Sequence, residues 1–297
     1  MFGAPGALVG IITSPDPSDA AKYGTTGAGV VLLNAGVVHR AGPHRLYVNL
    51  ARKLARNGVH VLRFDHSGIG DSPRRRDDLP FGKSAVEETR GAIDLLEKEH
   101  GCSRFVVIGL CSGTLSAFRT ACVDERITGL VLLTALLEDP ADVDDAVVQQ
   151  ALDRRTARSY MKEKALHSGS WRRLLTGKVS PKKIARVLGR TLLGDTGALP
   201  TASPGTVELG RELAALLDRG VSLLFIYGEP TTVLEYFRMT LEPLVPELRK
   251  RGHLDVHVLK RSDHTFTLIH DQQTVLTTID EWLRSKQLAP APETSCT

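Results

Sequence analysis

Residues 104–123, RFVVIGLCSGTLSAFRTACV, decide how the whole chain is read. RFVVI is a short, nearly continuous apolar run of the kind a strand buried on both faces requires. TLSAFRTACV reads as a helix. Between them stand Gly109-Leu110-Cys111-Ser112-Gly113, with a glycine two residues before and two after the cysteine. This is the spacing of a strand that turns sharply into a helix while its central residue takes strained dihedrals, where flanking side chains would collide. Such a turn projects the central side chain at the top of a sheet, over the free N–H groups and positive dipole of a helix N-terminus. Ser112 lies one residue out of frame, since its own frame has Leu110 and Thr114 where the glycines belong. Cys111 is therefore the candidate nucleophile. A thiol suits the position, because a helix N-terminus and a neighbouring histidine both favour the thiolate. The bland reading is a small buried hydrophobe.

Outward from this turn, similar apolar runs recur at 8–12, 30–36, 59–64, 127–135, 221–228 and 254–260. Amphipathic stretches separate them. Leu46, Tyr47, Leu50, Ala51 and Leu54 share one helical face before Gly58, and Val86, Ile93 and Leu96 share another before Gly101. Val275, Ile279, Trp282 and Leu283 line a last helix. Strands alternating with helices imply an α/β fold with a mostly parallel central sheet covered on both sides. From about 140 to 217 the alternation stops. Helical patterns follow one another at 142–160, after Ser180-Pro181, and at 207–218. The expected organisation is a core of 1–139 and 218–287, a helical cap of 140–217, and a frayed tail of 288–297 carrying Cys296.

The cap coincides with a charge asymmetry. Residues 151–190 hold twelve Lys or Arg against Asp153 and Glu163, on a chain whose net charge is only +4. Such a segment is either a solvated helical face or a surface for an anionic partner. Nucleic acid is not expected, since only Tyr160 and Trp171 interleave the basic run. No apolar run approaches the roughly 18 residues of a membrane span. The first residues lack the pattern of a secretory signal. Four cysteines without CxxC pairs or Cys/His clusters argue against a disulfide framework or a metal site. A cytoplasmic protein without metal or cofactor is the expectation.

Two further motifs sit at strand ends: Asp65-His66-Ser67-Gly68-Ile69-Gly70-Asp71-Ser72 after 59–64, and Asp263-His264-Thr265-Phe266 after 254–260. His264, just past the last strand, is where a general base must sit to reach a nucleophile on the turn. With Asn34-Ala35-Gly36 after the second strand and the GLCSG turn, these motifs make the chain resemble the α/β-hydrolase superfamily over roughly residues 7–287. LLNAGVVHRAGPHRLYVNLARKLA, RFDHSGIGDS and the DHTF ending are similar to hydrolases associated with exosortase systems. The G-x-C-x-G turn also resembles that of dienelactone hydrolase.

The resemblance implies a covalent acyl-enzyme. Cys111 would attack a carbonyl and His264 would take and return the proton, while the backbone N–H of Ser112, with that of Gly36 or Val37, would hold the oxyanion. The chain departs from the superfamily at the third triad position. An Asp is expected two or three residues past the glycine that ends LLFIYG, yet Gly228 is followed by Glu229-Pro230-Thr231-Thr232. Glu229 is the first candidate, then Glu235, then Asp139, and a Cys–His dyad without an acid is tenable. Arg40 either forks a substrate carboxylate or carbonyl or forms a salt bridge steadying its loop, with Asp71 or Glu235. His66 is expected to hold its turn.

An acyl-cysteine is attacked readily by amines and thiols, and a basic cap fits a donor carried on an acidic acyl carrier protein or on coenzyme A. The expected function is a thioesterase, acyltransferase or cyclase of biosynthesis, acting on an acyl thioester or ester. A simple esterase or lactonase is the alternative within enzymes. A catalytically silent ligand-binding relative is the alternative outside them.

Overall fold

A computed structural model describes residues 1–3, 8–18, 27–137, 147, 149–156 and 204–288. Seven strands form one sheet: β1 (Gly10–Thr13), β2 (Ala28–Leu32), β3 (His60–Phe64), β4 (Arg104–Leu110), β5 (Ile127–Leu133), β6 (Ser222–Glu229) and β7 (Leu254–Lys260). Their order is β1-β3-β2-β4-β5-β6-β7. All neighbours pair in parallel except β1, which runs antiparallel to β3 at the edge. The main helices are α1 (Leu46–Arg56), α2 (Phe81–His100), α3 (Ser112–Val123), α4 (Pro204–Asp218), α5 (Thr232–Thr240), α6 (Val245–Arg249) and α7 (Ile269–Ser285).

The strands read as unbroken apolar runs because each face has its own core. In β2, Val31 points to one side, where Ile93 and Leu96 of α2 and Phe118 of α3 pack. Its neighbours Val30 and Leu32 point to the other, against Leu46, Leu50 and Leu54 of α1 and Ile279 and Leu283 of α7. Strand periodicity of two sends successive residues into opposite cores. Burying one such side chain fully stabilises the fold by about 1.5–3 kcal/mol.

The strand order fixes where a site can form. From β2 the chain crosses through α1 to β3 on one side, then through α2, on the other face, to β4 on the opposite side of β2. The loops leaving β2 and β4 therefore diverge, opening a crevice at the carboxyl edge of the sheet.

One boundary shifts from the sequence-based expectation. Helix α4, assigned there to the cap, inserts Leu209, Leu213, Leu216 and Leu217 into the core. An amphipathic helix looks the same in sequence whichever surface it packs on. Residues 149–156 form a helical stretch whose fully buried Ala151 packs on Tyr236 and Met239 of α5. The rest of the expected basic cap, and Asp139, lie outside the described residues. Among the described residues no helix is long and apolar enough to cross a membrane.

Candidate active site

The turn between β4 and α3 has the expected strain. Cys111 adopts φ 55° and ψ −122°, a region L-residues rarely occupy. Both glycines are required by close approach. A Cβ on Gly109 would lie 2.3 Å from the Gly113 carbonyl oxygen, and one on Gly113 would lie 2.5 Å from that of Asn34. The Cys111 N–H bonds the Leu133 carbonyl at 3.0 Å, and its carbonyl accepts from Thr114 N at 3.0 Å. Its thiol makes no capping bond to α3 and is partly exposed. Among the described residues, the Ser112 N–H at the start of α3 has no acceptor.

The loop after β2 closes over this turn. Gly36, at φ 58°, donates its N–H to Ser112 Oγ at 2.9 Å. Val37 beside it is 90% exposed. The loop is stapled from below by Asn34. Its Nδ2 donates to Val38 O at 2.9 Å and to Asp65 Oδ1 at 3.1 Å, and its Oδ1 accepts from His66 N at 2.8 Å.

Arg40 completes the clamp, and here the substrate-binding expectation is corrected. Its guanidinium pairs with fully buried Asp65 and, at 2.7 Å, with Asp71. Burial alone would push its pKa down, but the bonds from Asp71 and Asp65 outweigh burial and hold it above the ordinary value. A cation held by two carboxylates has little left for a substrate anion, so Arg40 is the loop brace that sequence reasoning weighed as its alternative. His66 likewise holds its turn: the ring is buried, with Nδ1 3.1 Å from Glu88 Oε2.

His264 arrives from the far side of the sheet. The segment after β7 crosses the end of β6, where a Cβ on Gly228 would lie 2.4 Å from the Asp263 carbonyl. It is then tied to the end of β5 by Thr134 Oγ1, which donates to the His264 carbonyl at 3.2 Å. Phe266, fully buried, anchors the turn in the core shared with α1 and α7. Asp263 shapes it by accepting from Thr265 N at 2.8 Å and Thr267 N at 3.2 Å. The half-buried His264 imidazole is pushed below its ordinary pKa by burial, partly opposed by the Asp263 charge. The shift favours the neutral ring, the form a general base needs.

The third triad position comes out differently. Glu229, at the end of β6, directs its carboxylate to Arg238 at 3.3 Å, and Arg238 also binds Glu235 at 2.7 Å. Among the described residues, no carboxylate hydrogen-bonds the His264 ring. Arg238, an ordinary basic residue on a helix, gave no sequence signal of this role.

Sequence reasoning also passed over the hydroxyl of Tyr47. Fully buried on α1, its pKa is driven up by burial, opposed by a contact with the Leu110 backbone and reinforced by charge at Cys111. That contact falls short of full hydrogen-bond geometry, and among the described residues the hydroxyl has no better partner. A tyrosine at an apolar helical position carries no mark of its tertiary neighbour.

A seven-stranded, mostly parallel sheet, flanked by helices and turning at a strained elbow into α3, defines an α/β hydrolase. The chain belongs to the serine aminopeptidase S33 family, whose model matches residues 28–184. In this chain the centre of the elbow is a cysteine. Among similar solved structures is an α/β hydrolase of unassigned function from Agrobacterium tumefaciens, with 14% identity, 98% of each chain covered and a TM-score of 0.56. An esterase from Pyrococcus furiosus matches at 15% identity over 97% of this chain and 91% of that one, with a TM-score of 0.53. Proline iminopeptidase from Mycobacterium smegmatis matches at 17% identity over 94% and 95%, also with a TM-score of 0.53. At these identities the likeness is one of fold. No curated protein matches the sequence significantly.

Proposed function

We propose that the protein cleaves a carboxylic thioester or ester through a covalent acyl group on Cys111. The observation that carries this reading is a partly exposed thiol on a left-handed backbone at the start of α3, beneath the oxyanion turn. His264 stands as the base of a Cys–His dyad. A thiol needs less activation than a hydroxyl, so the commitment of Glu229 to Arg238 is compatible with catalysis.

The steps balance as acyl transfer. His264 accepts the thiol proton as Sγ bonds to the carbonyl carbon, and the carbonyl electron pair moves onto oxygen. Collapse of this intermediate breaks the bond to the leaving thiol or alcohol, which takes the proton from His264. Water or another acceptor, deprotonated by His264, then attacks the acyl-cysteine, and Sγ leaves and recovers the proton. Backbone N–H groups on the oxyanion are each worth about 2.7–4 kcal/mol of barrier in such reactions.

The basic segment 151–190 favours a donor on coenzyme A or an acidic carrier protein, and the ease with which amines and thiols attack an acyl-cysteine extends the reading to acyltransferase or cyclase activity. Simple ester hydrolysis is the second reading, favoured by the esterases among the similar folds. Intact-protein mass spectrometry with acetyl and longer-chain coenzyme A thioesters and p-nitrophenyl esters tests both. An acyl adduct on wild type, absent from Cys111→Ala, is expected. No adduct on wild type, or the same adduct on Cys111→Ala, overturns the proposal. Turnover of aryl esters alone, with no thioester use, selects the second reading.

A further inference from the structure

We infer that the Ser112 hydroxyl is itself a donor to the oxyanion, relaying the Gly36 N–H rather than leaving it to act directly. The inference rests on the acyl-Cys111 reading above and deepens it.

Of the two turn donors expected from sequence, the Gly36 N–H is already engaged by Ser112 Oγ at 2.9 Å. The loop carrying Gly36 is braced on both sides of it, by Asn34 bonded to Val38 and Asp65 and by the Arg40 N–H bonded to Asp65. Ser112 follows Cys111 directly, so its side chain and its own N–H both border the place where an oxyanion on the Cys111 adduct must form. A hydroxyl oxygen that accepts a hydrogen bond keeps its own proton to give, and accepting makes it a stronger donor. Ser112 is exposed, and among the described residues nothing accepts that proton. Among the described residues the Ser112 N–H, the Ser112 O–H and the Val37 N–H are therefore the donors of the turn left without an acceptor, with the Gly36 N–H one hydrogen-bond length behind.

The opposite arrangement would make Ser112 a plug, swinging away so that the Gly36 N–H contacts the oxyanion. The two make contrary predictions for Ser112→Ala. Single-turnover acylation with a p-nitrophenyl ester, steady-state kcat and KM, and the denaturation midpoint are measured for wild type, Ser112→Ala and Ser112→Thr. The relay predicts that Ser112→Ala acylates about 100-fold more slowly with KM and midpoint little changed, the loss typical of one oxyanion donor. Ser112→Thr, which keeps the hydroxyl, recovers most of the rate. Acylation of Ser112→Ala as fast as wild type, or faster, overturns the relay while leaving the acyl-cysteine reading intact. A wild type that forms no adduct on Cys111 overturns that reading and the relay with it.

Discussion

Replacing Cys111 by glycine and, separately, by alanine separates the strain of the elbow from the chemistry of its thiol. At an ordinary helix or strand position, alanine is more stabilising than glycine by about 0.5–1 kcal/mol, because glycine loses more freedom on folding. At φ 55° and ψ −122° any side chain with a Cβ pays a conformational cost of about 1–3 kcal/mol. Both variants remove the same sulfur, so its packing cancels between them. Alanine keeps the strain and glycine relieves it. Subtracting the usual glycine penalty leaves Cys111→Gly more stable than Cys111→Ala by about 1 kcal/mol. Equilibrium denaturation, compared at equal slope, measures the difference, and acyl-adduct formation should be lost in both variants. A Cys111→Ala protein that is the more stable by the ordinary margin would refute the argument that the elbow is held against its local preference.

The pH dependence of kcat/KM should rise with pH at a midpoint below the usual histidine value of about 6.5, since burial disfavours the charged form of His264. Asp263→Asn removes a negative charge that stabilises the imidazolium, so the midpoint should move lower still; an upward shift contradicts the assignment. Arg40→Ala strands the buried Asp65 carboxylate and should destabilise the fold by about 3 kcal/mol, read by denaturation. Its kinetic defect, from a loosened oxyanion turn, should fall on kcat; a defect confined to KM would restore the substrate-binding reading of Arg40.

The sheet was legible because its strands are buried on both faces, so that RFVVIGL and LLFIYG are continuous apolar runs whose register needs no partner to be recognised. The direction of β1 was not, since Gly10–Thr13 has the same composition whether it pairs in parallel or antiparallel. The elbow was legible for a different reason: Gly109 and Gly113 mark places where backbone meets backbone, and only glycine fits. Charged residues resist this kind of reading. Nothing in the segment around Arg40 says that its partners lie 25 and 31 residues away on the turn after β3. Glu229 stands at the expected strand end, but Arg238, nine residues on, takes its carboxylate.

These placements divide the polar groups around the elbow into two kinds. Asn34, Arg40, Asp65, Asp71 and Glu88 are bound to one another or to backbone, and their work is to hold an irregular loop and turn in one shape. An irregular loop so held loses little entropy when substrate arrives, and on the acyl-cysteine reading this would let the turn stabilise an oxyanion without reorganising. Cys111, Ser112 and His264 are the contrast. The thiol caps nothing, the Ser112 hydroxyl proton has no acceptor among the described residues, and no carboxylate among them hydrogen-bonds the His264 ring. On the acyl-cysteine reading, the surrounding clamp bears on catalysis by fixing the loop and turn in one shape, while the Cys111 thiol and the Ser112 hydroxyl stay open to a substrate carbonyl.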